Sequence, residues 1–128
     1  MLDAAPVGEL PRSVTELEVL VVSDGRIHEL NRSYRGKDKP TDVLSFSMLE
    51  GGGIVGEQLG SLIISWDTTL AQAERFEVTP KQEFLRLLVH GVLHLLGFDH
   101  EGVSATVANR MRRLERKLRR EVAGRLGI

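Results

Sequence analysis

The hydrophobic and polar positions along the chain predict three short β-strands in its first half. Residues 16–22 form a short, apolar and β-branched run, residues 43–47 alternate between apolar and polar, and residues 59–66 are again apolar. Runs of this length and pattern are typical of strands.

Helical spacing of apolar residues predicts helices between and after these strands. The first covers residues 25–35, with Ser23 or Asp24 as its cap, and the second extends to about Phe76 from a cap at Asp67 or Thr68. The last covers residues 104–122. Its expected apolar stripe consists of Val107, Met111, Leu114, Leu118 and Val122.

The third helix is expected to be the buried centre of the domain. Thr79, Pro80 and Gln82 form the pattern of a capping box with proline at the first helical position. The following residues are apolar on nearly every side up to Gly97, which is expected to end the helix. We therefore predict an α+β fold: a single domain over residues 1–128, with a small mixed sheet packed with helices around this central helix.

The amino-acid composition restricts which reactive groups and metal ligands the chain can use. The chain has 128 residues, 41% of them hydrophobic, a formal net charge of −1, four histidines and no cysteine. Without cysteine there are no disulfides, thiol nucleophiles or Cys-ligated metals, so any metal site must use His, Asp or Glu. The first twelve residues lack the pattern of a signal peptide and the apolar runs are too short for a bilayer, so we expect a cytoplasmic location.

Three of the four histidines lie within eleven residues, and their spacing predicts a metal site. His90 and His94 are four apart on the central helix, which places both rings on one face, and His100 follows a helix-ending glycine. Zinc peptidases of the metzincin type use a similar arrangement. Three His ligands leave a fourth position for water, whose pKa zinc would lower to about 7.

The neighbours of these histidines restrict the reaction. A single histidine in an apolar helix is more often a hydrogen-bonded core residue than a ligand, but three with a turn between them favour a metal. In His-Glu-x-x-His peptidases the residue after the first histidine is the general base, whereas here it is Gly91. Asp99 either orients a ligand or caps a turn, and Glu101 is a possible substitute base. His28 is expected to be solvated.

Three segments resemble the YbeY family of bacterial endoribonucleases, also called ribosomal RNA maturation factors. The histidine run, residues 90–100, reads His-Gly-Val-Leu-His-Leu-Leu-Gly-Phe-Asp-His and is similar to the signature of that family. Residues 30–46, with the sequence Lys-Asp-Lys-Pro-Thr-Asp-Val-Leu-Ser-Phe at their end, form a second similar block. Residues 59–65 form a weaker third, in which Ser61 stands where the family usually has an acid.

The resemblance implies a zinc-dependent, single-strand-specific endoribonuclease that acts in maturation of the 3′ end of small-subunit ribosomal RNA and in ribosome quality control. It implies one zinc ion held by His90, His94 and His100, and a functional arginine at Arg35. The catalytic residues are then Arg35, which would stabilise the phosphate, and His94, without which neither zinc nor cleavage is expected. The zinc-activated water would attack the phosphodiester. The general base stays open, because Gly91 and Ser61 cannot serve.

The last helix favours RNA as a partner. It carries seven Lys or Arg residues, with Arg125 beyond it, against Glu115 and Glu121, so its polar face is strongly basic although the whole chain is near neutral. This face is either a solvated helix surface or a surface for RNA phosphates or the ribosome. We expect a monomer without membrane or DNA partners. The alternatives are a non-catalytic ribosome-associated factor with a structural zinc, or a metal-dependent hydrolase of another substrate.

Overall fold

The computed structural model describes residues 16–47, 58–96 and 104–128. The strands of this part are β1 (Glu16–Val22), β2 (Val43–Ser47) and β3 (Gln58–Ser65). Its helices are α1 (Asp24–Arg35), α2 (Trp66–Arg75), α3 (Pro80–Leu95) and α4 (Ala105–Leu126). The α+β class and the small mixed sheet are therefore confirmed.

The sheet has the order β1-β3-β2, with β1 parallel and β2 antiparallel to the central β3. Successive side chains of a strand point to opposite faces, so β3 contributes side chains to the packing on both faces of the sheet. Ile63 packs with Ile27 of α1, while Leu62 meets Gly91 of α3. Helices α1 and α3 thus cover opposite faces, and the strand β2 lies beside the central strand between them.

The central position predicted for α3 is confirmed. Most of its buried apolar residues form one core cluster with Leu59 and Leu62 of β3 and with Met111 and Leu118 of α4. The close approach to the sheet depends on Gly91, because a Cβ atom there would lie 2.6 Å from Cδ2 of Leu62. Any larger side chain at this position would have to displace the centre of the core.

The beginning of α3 follows the predicted capping box. The hydroxyl of Thr79 accepts a hydrogen bond from the backbone N–H of Gln82 at 3.1 Å, and the Gln82 side chain accepts one from the Thr79 N–H at 3.0 Å. The residue that follows the capping box, Glu83, is buried. It accepts two hydrogen bonds from Arg86 and one from Gln72 of α2, which joins the two helices. The helix ends with Leu96 as its C-cap, and the predicted stop at Gly97 lies outside the described residues.

The predicted cap of α2 was wrong. Ser65, rather than Asp67 or Thr68, is the N-cap, because its hydroxyl accepts the N–H of Thr68 and Trp66 is already helical. Asp67 instead accepts the backbone N–H of Asp24 at 2.8 Å, at the start of α1. The Asp24 carboxylate in turn accepts hydrogen bonds from the hydroxyls of Ser65 and Thr68. Hydrogen bonds in both directions therefore connect the first turns of α1 and α2.

Helix α4 is one turn longer than the periodicity predicted. It continues to Leu126 and ends at Gly127, whose backbone adopts the left-handed conformation. The stripe that packs inward includes Ala108 in place of Val107, which is 39% exposed. None of the described helices is both long and apolar enough to cross a membrane.

Candidate functional site

His90 and His94 lie on one face of α3, as their spacing predicted. Their ring centroids are 4.7 Å apart, and both residues are half-buried. A helix places residues i and i+4 one above the other, so this proximity follows directly from the local backbone. The third predicted ligand, His100, lies outside the described residues, as do Asp99 and Glu101.

The neighbour of His90 across the helix interface is Glu115 of α4. Nδ1 of His90 and Oε2 of Glu115 are 3.2 Å apart, and the Glu115 side chain is only 13% exposed. The sequence pattern predicted Glu115 merely as one of two acids on a basic helix. Its spacing along the helix could have predicted this position. Glu115 lies four residues after Met111 and three before Leu118, on the stripe that faces α3.

The contact with Glu115 determines the electrostatics of His90. It raises the pKa of His90 above the ordinary value, against the opposing effect of burial. The charge of Asp42 also raises this pKa, whereas the charge of Arg86 lowers it. In the neutral ring, when Nδ1 carries the proton it donates to Glu115, and the lone pair then lies on Nε2.

These groups fit a divalent transition metal. Imidazole nitrogen is a common ligand of zinc, and a ligating histidine usually donates its other N–H to a carboxylate or carbonyl. His90 has that partner in Glu115, and His94 lies beside it. Within the described ranges no three His, Asp or Glu side chains complete a metal cluster, so the ligand role of His100 stays a prediction.

Arg35 approaches from the other side of the sheet. It is the last residue of α1, and its guanidinium donates a hydrogen bond to the carbonyl oxygen of Ser45 in β2. The guanidinium carbon also lies 4.8 Å from the centre of the Phe46 ring. Arg35 therefore contacts β2, and its described contacts do not include His90 or His94.

Strand β2 connects these two groups of residues. While Arg35 packs on it from α1, the hydroxyl of Ser47 at its end donates to the carbonyl oxygen of Leu95, 3.4 Å away, in the last turn of α3. The histidines thus lie on a helix whose C-terminal turn contacts the same short strand that holds Arg35. The structure brings His90 and His94 together directly and relates Arg35 to them through β2.

Two further expectations are modified by the structure. His28 is not simply solvated, because its Nε2 lies 2.7 Å from Oδ1 of Asp38 in the segment after α1. Ser61 has an acid beside it after all, since its hydroxyl donates to Oε1 of Glu18, 2.9 Å away on β1. This carboxylate comes from a neighbouring strand and cannot be recognised from the third sequence block.

The family of this chain follows from its similarity to known proteins. The family model described as Endoribonuclease YbeY matches residues 2–123. The chain belongs to the YbeY family. The relatives called endoribonuclease YbeY in Sulfurihydrogenibium, Pelotomaculum thermopropionicum and Bacillus subtilis are 50%, 43% and 45% identical to it, over 74%, 88% and 78% of this chain.

The YbeY relatives are longer than the matched part. This chain spans 62% of the Sulfurihydrogenibium protein, 73% of the Pelotomaculum protein and 69% of the Bacillus protein. The solution structure of a Thermotoga maritima protein is also similar, with a TM-score of 0.62 and 32% identity over 90% of this chain and 74% of that one. The family resemblance and the fold class predicted from the sequence are confirmed.

Proposed function

We propose that this YbeY-family chain is a metal-dependent endoribonuclease with one zinc ion held by His90, His94 and His100. The observation that carries the proposal is the half-buried pair of imidazoles on α3, one of which has a carboxylate partner in Glu115. The names of the YbeY relatives support RNA as the substrate. When bound, the metal would supply Lewis-acid chemistry and would lower the pKa of water, which provides hydroxide as a nucleophile near neutral pH.

The protein residues have distinct tasks in this proposal. Glu115 accepts the Nδ1 proton of His90, which fixes the tautomer and the orientation of the ring. Arg35 binds the scissile phosphate and stabilises the negative charge that develops on it. Its guanidinium has five N–H donors, and the hydrogen bond to Ser45 together with the Phe46 ring restricts its position while leaving donors for a phosphate.

The substrate proposed in more detail is single-stranded ribosomal RNA. In this proposal the chain acts as a cytoplasmic monomer in maturation of the 3′ end of small-subunit ribosomal RNA and in ribosome quality control. Few aromatic side chains are available for stacking on bases, since the chain has one Trp, one Tyr and four Phe. We therefore expect recognition to depend on the RNA backbone more than on base identity.

The decisive experiment measures zinc content and RNA cleavage in matched histidine variants. His94→Ala should lose both the zinc, measured by plasma emission analysis, and the cleavage of a single-stranded RNA. His28→Ala is the control, because His28 pairs with Asp38 away from α3 and should retain both. If His94→Ala still holds one equivalent of zinc, the assignment of the ligands is wrong.

A second pair of variants tests the arginine. Arg35→Ala should reduce cleavage by roughly 100-fold, the usual cost of removing one charge-stabilising donor, with zinc content unchanged. Arg32→Ala, one turn earlier on α1 and exposed, should cleave normally. Retained zinc with no metal-dependent cleavage in the parent protein would instead favour a ribosome-associated factor with a structural zinc. Cleavage that survives both chelation and Arg35→Ala would indicate a contaminating nuclease.

A further inference from the structure

Helix α4 separates its charges from its apolar residues. It has eight Lys or Arg residues and two Glu, a net charge of +6, while the rest of the chain has a net charge of −7. Met111 and Leu118 are buried against α3, and Glu115 faces the same way toward His90. Six exposed cations and the half-buried Arg119 occupy the rest of the helix surface, here called the cationic face: Arg110, Arg112, Arg113, Arg116, Lys117, Arg119 and Arg120.

The cations of this face lack close carboxylate partners in the part of the chain that the structure describes. Within the described residues, none of the seven forms an ion pair, and Arg112 donates only to the amide oxygen of Asn109. Four of them, Arg113, Arg116, Lys117 and Arg120, line one shallow groove of about 340 Å³ together with Glu121. Unpaired cations that converge on a groove produce a strong local positive potential.

The cationic face adjoins the candidate metal site. Glu115, which contacts His90, lies three residues after Arg112 and four before Arg119, so these two arginines are its neighbours on the helix surface. A chain of phosphates that leaves the histidine site along α4 therefore meets positive charge immediately. From Arg113 to Arg120 the face extends about 10 Å along the helix, which is enough for contacts with two or three successive phosphates of one strand.

We propose that the cationic face of α4 is a docking surface for the RNA backbone outside the cleaved segment. It rests on the proposed function, since it gives the same substrate a second point of attachment. The face recognises phosphates without reading bases, because it presents Arg and Lys and no aromatic side chain. It favours RNA of several nucleotides over a dinucleotide, since one phosphate cannot occupy both the histidine site and the cationic face.

An anionic membrane is the less suitable partner for this helix. Interfacial helices bind by burying an apolar face in the lipid, with their cations at its borders. The apolar side of α4 is already packed against α3, and the cations occupy the centre of the outward side. RNA phosphates need only the charges, which the outward side supplies.

The test removes three charges from the face and the same number elsewhere. The face variant is Arg113→Gln/Lys117→Gln/Arg120→Gln, which changes three residues of the groove. The control is Arg26→Gln/Arg75→Gln/Lys81→Gln, at exposed positions on three other helices. Binding of a fluorescent single-stranded RNA of about 30 nucleotides is followed by anisotropy at several salt concentrations, with chelator present so that the readout does not require cleavage.

The face variant should bind the long RNA roughly 10- to 100-fold more weakly, and the slope of log K against log salt should fall by about 2. The control should change binding less than twofold. In cleavage assays KM for the long RNA should rise with kcat unchanged, while a dinucleotide, whose single phosphate cannot reach both the histidines and the face, should be cleaved as by the parent. Equal losses in both variants, or no loss in the face variant, overturn the proposal.

Two outcomes separate this inference from the proposed function and from a membrane role. If the protein never cleaves RNA but the face variant alone loses RNA binding, the proposed nuclease fails and the docking surface stands. If the face variant keeps RNA binding but loses binding to vesicles of phosphatidylcholine and phosphatidylserine in about equal amounts, the surface serves lipid and the proposal is overturned.

Discussion

The contact between His90 and Glu115 allows the metal hypothesis to be tested in small steps. Glu115→Gln removes the negative charge but keeps an amide oxygen that can still accept the Nδ1 proton of His90. Glu115→Ala removes the acceptor altogether and, since alanine favours helices, should not weaken α4 through helix propensity. The two substitutions therefore distinguish the effect of charge from the effect of orientation.

The expected magnitude follows from the burial of the pair. Loss of a carboxylate partner of a ligating histidine reduces metal affinity by about 10- to 100-fold, or about 1.4 to 2.8 kcal/mol. Because Glu115 is 13% exposed and His90 31% exposed, solvent screens this contact less than a surface pair. We expect Glu115→Gln near the lower end of that range and Glu115→Ala near the upper end.

The assay is competition for Zn²⁺ between the protein and a chromophoric chelator. Glu121→Gln is the matched control, since it removes the same charge from the same helix at an exposed position. Urea unfolding of the metal-free proteins checks that each variant retains its fold. If Glu115→Ala and Glu121→Gln bind zinc as tightly as the parent, His90 does not hold the metal in the way proposed here.

Three further predictions concern the framework of the site. Gly91→Ala should destabilise the protein by about 1–3 kcal/mol through overpacking against Leu62, whereas Gly124→Ala, with open space at its Cβ, should stabilise it by about 0.5–1 kcal/mol in urea unfolding. Glu83→Gln should cost about 1–3 kcal/mol in the same assay, because it removes a buried carboxylate that accepts hydrogen bonds from the partly exposed Arg86. Hydrogen bonds lower the pKa of Asp24, so Asp24→Asn should lose stability above about pH 4, and its difference from the parent should vanish as the pH falls through that lowered pKa.

The sequence by itself determined the helices and strands, and the contacts between residues that lie within one helical turn of each other. The capping box at the start of α3 joins residues three apart, and the pairing of His90 with His94 needs only one helical turn. Contacts of this kind depend on backbone geometry alone, so spacing is enough to predict them. Local competition still produced one error, because Ser65 takes the capping role at α2 and leaves Asp67 to α1.

Only the tertiary structure decided which residues of different elements come into contact. His90 and Glu115 are 25 residues apart, and Ser61 and Glu18 are 43 apart. Such pairs depend on the rotation of whole helices and on strand order, which the burial of many apolar groups sets together. The same packing requires glycine at position 91 and turns the cations of α4 outward, so charges that nearly cancel in the composition are separated on the surface.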